Sequence, residues 1–143
     1  MKISTRGRYA LRVMIDLAEH DNGAFLPLKD VAARQEISQK YLEGIMSDLS
    51  KAGIVAGLHG KGGGYKLNRA AADYTVGEIL RVTEGDLAPI ACLDPSAAPC
   101  DRAAGCRTLP MWQKLNAIIN DYLDGVTLAD LMRAETAGGD YII

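Results

Sequence analysis

The stretch from Ile37 to Tyr65 constrains this chain most. It begins as an amphipathic helix, IleSerGlnLysTyrLeuGluGlyIleMetSerAspLeuSerLysAlaGly, and runs into two short apolar segments around a glycine-rich tip, HisGlyLysGlyGlyGlyTyr. Leu42, Ile45, Met46 and Leu49 recur at i, i+3, i+4 and i+7, which places them on one buried face. Lys40, Glu43, Gly44, Ser47 and Lys51 fall on the opposite, polar face. Ser38 is suited to cap the helix by accepting from its first free amides, and Gly53 to stop it. Ile54 to Leu58 and Tyr65 to Leu67 read as strands. The glycines between them can take positive φ, so the segment predicts a hairpin.

The elements around this stretch support it. Residues 5 to 20 predict a helix with Tyr9, Ala10, Val13, Met14, Leu17 and Ala18 along one stripe and Arg6, Arg8 and Arg12 off it. Leu28 to Gln35 predicts a second, short helix facing the core through Leu28, Val31 and Ala32. Only GluIleSer separates it from the Ser38 helix, a helix-turn-helix pattern whose second helix has a polar outer face and is followed by a wing. The glycine-rich tip does not cradle a nucleotide. Lys61 is followed by Gly62 rather than Ser or Thr, and Tyr65 takes the last place of a GxGxxG match.

Charge separates the two halves. Residues 1 to 70 hold 11 Lys+Arg against 7 Asp+Glu, whereas residues 71 to 143 hold 5 against 11. The overall net charge of -2 therefore conceals a basic first half able to face phosphates. Arg6 and Arg8 are candidates for backbone contacts that fix register without reading sequence.

Beyond AlaAlaAlaAspTyr, Thr75ValGlyGlu78 has capping-box spacing and opens a helix through about Glu84. Residues 85 to 108 lose periodicity and carry Cys92, Cys100 and Cys106. From Leu109 the helical period returns, with Leu109, Trp112, Leu115, Ile119, Tyr122 and Leu123 as a broad apolar stripe ending at Gly125. Such a helix after a complete winged unit calls for a partner, and the same helix of a second subunit is the simplest one. Thr127 and Asp130 cap a last short helix, and the tail from Ala137 reads as frayed. The expected architecture is mainly α: a winged helix-turn-helix DNA-binding domain (1–73) with a small β-hairpin wing, then a linker helix, a cysteine loop (91–108) and a long dimerisation helix (74–143).

No apolar run reaches the roughly 20 residues of a membrane span, and Arg12 and Asp16 interrupt any signal-like core at the start, so a cytoplasmic protein with no membrane association is expected. Three cysteines are an odd set for a disulfide framework and favour metal or redox chemistry. Nothing marks an enzyme: His20 and His59 both lie in the first half, and neither a HisGluXaaXaaHis motif nor a Ser/His/Asp set is present.

Taken in order, SerThrArgGlyArgTyrAla, IleSerGlnLysTyrLeuGlu, HisGlyLysGlyGlyGlyTyr, ThrValGlyGluIle, three spaced cysteines and ThrLeuAlaAspLeu resemble the bacterial IscR/NsrR-type winged-helix regulators, the family often written Rrf-two. The resemblance runs through about 130 residues. It implies a homodimeric repressor or activator that binds a palindromic operator in double-stranded DNA, with base or phosphate contacts at Ser38, Gln39, Lys40, Tyr41 and Glu43 and at the wing residues His59, Gly60 and Lys61. A carboxylate at Glu43 can accept from cytosine N4 yet repels phosphate, so it would contribute discrimination more than affinity. The IscR wing inserts an arginine where this chain has His59, with Lys61 two residues on. Wing affinity should therefore be lower or pH-dependent.

In family members with three cysteines, the loop before the dimer helix usually holds an iron-sulfur cluster. The resemblance thus implies a 2Fe-2S cluster on Cys92, Cys100 and Cys106 that senses cluster supply, nitric oxide or redox state. The fourth ligand is not identified. IscR uses a histidine three residues after the last cysteine, where this chain has Leu109. Other members recruit a residue of the partner's first helix, where this chain has Arg8 and Arg12, which cannot coordinate metal. Asp94, Asp101, a water or a small thiol could serve. A metal-free thiol switch favoured by Arg102 and Arg107, structural zinc or inert cysteines, a thiol or metal enzyme, a cluster-carrying assembly protein and a protein-binding winged helix are the alternatives.

Overall fold

The computed structural model describes residues 2–134, so the frayed tail expected from Ala137 lies outside the described residues. Its helices are α1 (Thr5–Glu19), α2 (Leu28–Gln35), α3 (Gln39–Lys51), α4 (Val76–Glu84), α5 (Leu109–Gly125) and α6 (Leu128–Arg133). The two strands, β1 (Val55–Leu58) and β2 (Gly64–Leu67), pair antiparallel between α3 and α4 with Val55 opposite Leu67 and Leu58 opposite Gly64. The mainly helical architecture with one hairpin is the one that periodicity predicts.

Each boundary has a local cause. Ser4, Ser38, Thr75 and Thr127 cap α1, α3, α4 and α6, their hydroxyls accepting from Gly7, Tyr41, Glu78 and Asp130 amides. Thr75 with Glu78, and Thr127 with Asp130, close reciprocal capping boxes. Between α2 and α3 the turn passes through Glu36 at φ 55°, a left-handed conformation unusual for a residue with a side chain, which costs about 1–2 kcal/mol. The wing turns through Gly60 and Gly62 at φ 90° and 77°. Gly64 lies so near the Leu26 carbonyl that an added Cβ would come within 2.1 Å of its oxygen. That approach lets Leu26 exchange hydrogen bonds of 2.8 and 2.9 Å with Tyr65, which ties the wing to the chain entering α2.

The core gathers Ala10, Val13, Met14 and Leu17 of α1, Val31 of α2, and Leu42, Ile45, Met46 and Leu49 of α3. Each large side chain so buried stabilises the fold by about 1.5–3 kcal/mol. The core continues past residue 73 through Tyr74, Ile79 and Leu128. The Tyr74 hydroxyl donates to the Ile54 carbonyl at 2.8 Å and accepts from Asn68 N–H at 3.1 Å. Tyr74 O also accepts from Leu128 N–H, while Val126 O accepts from Val76 N–H, so α6 returns to pack beside α1. No helix among the described residues is long and apolar enough to cross a membrane.

α5 is the exception to this burial. None of its residues is buried, although it spans 17 residues. Arg81 of α4 holds its C-terminal part, donating to Asp124 at 2.7 and 3.0 Å and to Asn120 at 2.6 Å. Gly77 permits this approach, since a Cβ there would stand 2.0 Å from the Asp124 carboxylate. On the opposite side Met111, Leu115, Ile118 and Tyr122 face solvent with 54, 37, 54 and 69% exposure.

Candidate nucleic-acid interface and cysteine pocket

α3 turns its apolar stripe fully inward and its first turn fully outward: Ser38, Gln39, Lys40, Tyr41 and Glu43 are all exposed. At its side the wing closes a groove of roughly 690 Å³, with Gln39, Glu43, Ser47 and Lys51 of α3 on one wall, and Leu58, His59, Gly60 and Tyr65 on the other. Lys29 at the start of α2 also borders it. The groove thus brings Gln39, Glu43, His59 and Gly60 together. Lys40, Tyr41 and Lys61 stand outside it, exposed on the same helix and on the wing tip.

Lys29, Ser47 and Lys51 are groove residues that motif reading leaves out. The signal for two of them is in the sequence: Gln39, Glu43, Ser47 and Lys51 repeat every four residues, which is one stripe of a helix. Glu43 is the acidic side chain in this lining, which also includes Lys29 and Lys51.

Other candidates are committed to internal contacts. The Tyr41 ring stacks edge-on against Tyr9 at 5.6 Å, and the Arg12 guanidinium lies 5.2 Å above the Tyr9 ring. Arg12 also donates to the Gln35 side chain and to the Gln35 carbonyl. Arg6 donates to the Gly44 carbonyl at 3.1 Å and pairs with the Asp48 carboxylate. Arg8 is exposed and donates only locally, to the Thr5 hydroxyl at 3.0 Å. Among the described residues, Arg8, Lys40, Lys51 and Lys61 belong to no ion pair.

Behind this surface, Asp16 is 1% exposed within α1. Burial raises its pKa, but hydrogen bonds from Arg34 and Gln35 and the charges of Arg34 and His20 outweigh burial, so its carboxyl is held below the usual range.

The residues between α4 and α5 form two short 3₁₀ turns, Ala91–Leu93 and Ala103–Gly105. They fold Cys92, Cys100 and Cys106 onto the wall of one cavity of roughly 310 Å³, together with Ile90, Leu93, Leu109 and Trp112. Neither Asp94 nor Asp101 is in that wall; its remaining polar side chains are Thr108 and Gln113. Asp94 instead accepts from the Ser96 amide and hydroxyl at 2.8 and 2.7 Å. All three thiols are free, and among the described residues no three His, Cys, Asp or Glu side chains stand close enough together to hold one metal ion. Cys106 precedes α5, where the Thr108 hydroxyl and then the Thr108 and Leu109 amides lower its pKa.

A helix-turn-helix with a groove beside its second helix, joined to a cysteine pocket, narrows the choice of relatives. Residues 3–134 match the family model Rrf2, described as an iron-dependent transcriptional regulator. The chain belongs to the Rrf2 family. An HTH-type transcriptional regulator IscR of Vibrio atlanticus is 38% identical over 133 residues, which cover 93% of this chain and 76% of that protein. Among solved structures, CymR, the global cysteine regulator of B. subtilis, superposes with a TM-score of 0.75 at 34% identity, covering 95% of this chain and 99% of that one. T. potens IscR does so with a TM-score of 0.70 at 33% identity, covering 99% and 97%. This Rrf2 member is accordingly a DNA-binding transcriptional regulator with a winged helix-turn-helix fold, and its curated relatives are regulators rather than enzymes.

Proposed function

We propose that this Rrf2 protein is a homodimeric regulator whose affinity for a palindromic operator depends on an iron-sulfur cluster or on the redox state of Cys92, Cys100 and Cys106. The observation that carries the reading is the convergence of three thiols, separated in sequence, on one cavity at the start of α5. In kind and number the thiols match three of the four ligands of an iron-sulfur cluster, and they would have to draw together to hold it; apolar Ile90, Leu93, Leu109 and Trp112 line the same cavity. When bound, the cluster would supply a redox-active, chemically labile centre. The chain would hold it through Cys92, Cys100 and Cys106, and α5 begins within three residues of the last of these.

The dimer rests on the α5 face. Met111, Leu115, Ile118 and Tyr122 are spaced 4, 3 and 4, the a/d rhythm of a two-helix seam, and all are exposed in the single chain. Two copies joined along this seam would present two α3 helices to half-sites about one helical turn apart or a multiple of it. In each, the first turn of α3 would enter the major groove and His59, Gly60 and Lys61 would reach the backbone or minor groove beside it. Arg8 would add a flanking phosphate contact. Regulation by a metal-free thiol switch is the second reading, favoured by the lowered pKa of Cys106.

Visible absorption with iron and sulfide analysis, on protein purified without oxygen, tests the cluster. Colour with iron and sulfide is expected, and Cys100→Ala should lose it while keeping the far-ultraviolet circular dichroism of the parent. Colourless, iron-free protein moves the reading to the thiol switch. DNA contacts are tested on the tightest duplex recovered from a random-sequence selection. With six to ten phosphates neutralised, the log–log salt slope should lie at about -5 to -9, and Lys40→Ala and Lys61→Ala should each reduce its magnitude by about 1. Binding indifferent to salt contradicts the assigned surface.

A further inference from the structure

The first turn of α1 touches both α3 and the end of α4. Arg6 reaches α3 near its middle, where one guanidinium nitrogen serves both the Gly44 carbonyl and the Asp48 carboxylate. Two residues earlier, Glu84 Oε1 accepts from the Ser4 amide at 3.0 Å and from the Ser4 hydroxyl at 2.5 Å. That hydroxyl also accepts from Gly7 N–H at 3.1 Å, so the Glu84 contact and the cap of α1 share one oxygen. Glu84 is the last residue of α4, and Gly85 opens the cysteine-bearing segment.

The Glu84 contact depends on a missing side chain. A Cβ on Gly7 would stand 2.3 Å from Glu84 Oε1, so alanine there would push the carboxylate off Ser4. At Gly44 the same Cβ would meet Arg6 Nη1 at 3.5 Å, an ordinary contact that leaves the arginine in place. A guanidinium already neutralised by Asp48 releases few counterions from DNA, which argues against Arg6 as a phosphate anchor.

We propose that Arg6 and Glu84 are positioning residues for operator recognition: Glu84 fixes the start of α1 against α4, and Arg6 carries that position to the middle of α3. The two act in series through one helical turn. Loss of either lets α3 tilt relative to the wing, which weakens base reading and leaves the sequence-independent attraction of the basic surface unchanged.

The two roles of Arg6 separate on Asp48. If Arg6 bound phosphate, removing the neighbouring carboxylate would strengthen binding to any DNA. If Arg6 holds α3, the same change weakens binding to the preferred site. The test uses the full chain, the duplex recovered by selection from random sequence, and a shuffled duplex of equal length, with affinities from fluorescence anisotropy. Arg6→Lys, Asp48→Asn, Glu84→Gln and Gly7→Ala should each lower the selected-to-shuffled affinity ratio about two- to fivefold, as for partly exposed ion pairs. Thermal midpoints should stay near the parent's, and for Arg6→Lys and Gly7→Ala, which leave the surface charge as it is, the salt slope on shuffled DNA should not change. The Arg6→Lys, Glu84→Gln pair should lose less than the product of the two single losses, the mark of contacts that work as a unit. Three results would overturn the proposal: Asp48→Asn tightening both duplexes, Arg6→Ala lowering the salt slope by about 1, or single losses that multiply.

Discussion

Ile118→Glu should break the proposed α5-paired dimer into folded monomers, as read by sedimentation equilibrium beside far-ultraviolet circular dichroism. No residue of α5 is buried in the single chain, and Ile118 lies on its open face at 54% exposure. A glutamate there therefore disturbs nothing within the monomer. In a paired seam it would place two carboxylates in an apolar interface, where unpaired charge is strongly unfavourable. Operator affinity should fall by about 100-fold or more, because linking two half-site contacts raises avidity by about 10² to 10⁴ and the monomer forfeits that gain. Leu123→Glu is the contrasting change. Leu123 is half-buried and packs with Val76, Leu80 and Leu87, so its variant should lose stability. A wild-type chain that sediments as a monomer, or an Ile118→Glu chain that remains a dimer, would refute the seam.

The same helix shows where sequence reading stops. Periodicity predicts α5 and its ends correctly, yet it assigns Leu109, Trp112, Leu115, Ile119, Tyr122 and Leu123 to one stripe. The structure divides them: Trp112, Ile119 and Leu123 turn half-buried toward the chain's own elements, whereas Leu115 and Tyr122 join Met111 and Ile118 outside. A helix apolar on two sides has two candidate faces, and spacing alone does not say which meets its own domain. By contrast α3 has one apolar face and one polar face, and all four residues predicted to be inside it are fully buried. Capping boxes at Thr75 and Thr127 were legible because each is a contact within four residues. The Arg6 contact with α3 spans 38 and 42 residues and leaves no local trace. The cysteine segment lacks periodicity, so only its folded path shows that three thiols share a cavity.

Asp16 is the other long-range feature hidden from pattern reading, since its charge sits on the apolar stripe of α1. Its partner is 18 residues away: Arg34 donates from Nε at 3.1 and 3.2 Å and from Nη2 at 2.7 Å, and Gln35 adds a bond at 2.9 Å. These bonds hold the end of α2 against α1 and so set the angle at which the turn enters α3. Asp16→Asn should cost about 2 kcal/mol, because Arg34 is left facing amide hydrogens but can turn toward water. Arg34→Ala should cost more, about 3 kcal/mol, because water does not reach the carboxylate it strands.

Acid should separate the two variants further. The folded-state pKa of Asp16 lies below its ordinary value of about 3.8, so its contribution is fully present above that value and disappears as pH falls through the folded pKa. The gap between wild type and Asp16→Asn should then close as pH falls below about 4. Without Arg34 the largest opposition to burial is gone, so the carboxyl pKa rises relative to the wild type. Arg34→Ala should recover stability relative to wild type on acidification, and denaturant titrations at pH 7, 5 and 4 measure both trends. Equal costs with no pH dependence would mean that Asp16 is solvated, and the brace between α1 and α2 would have to be sought in apolar packing alone.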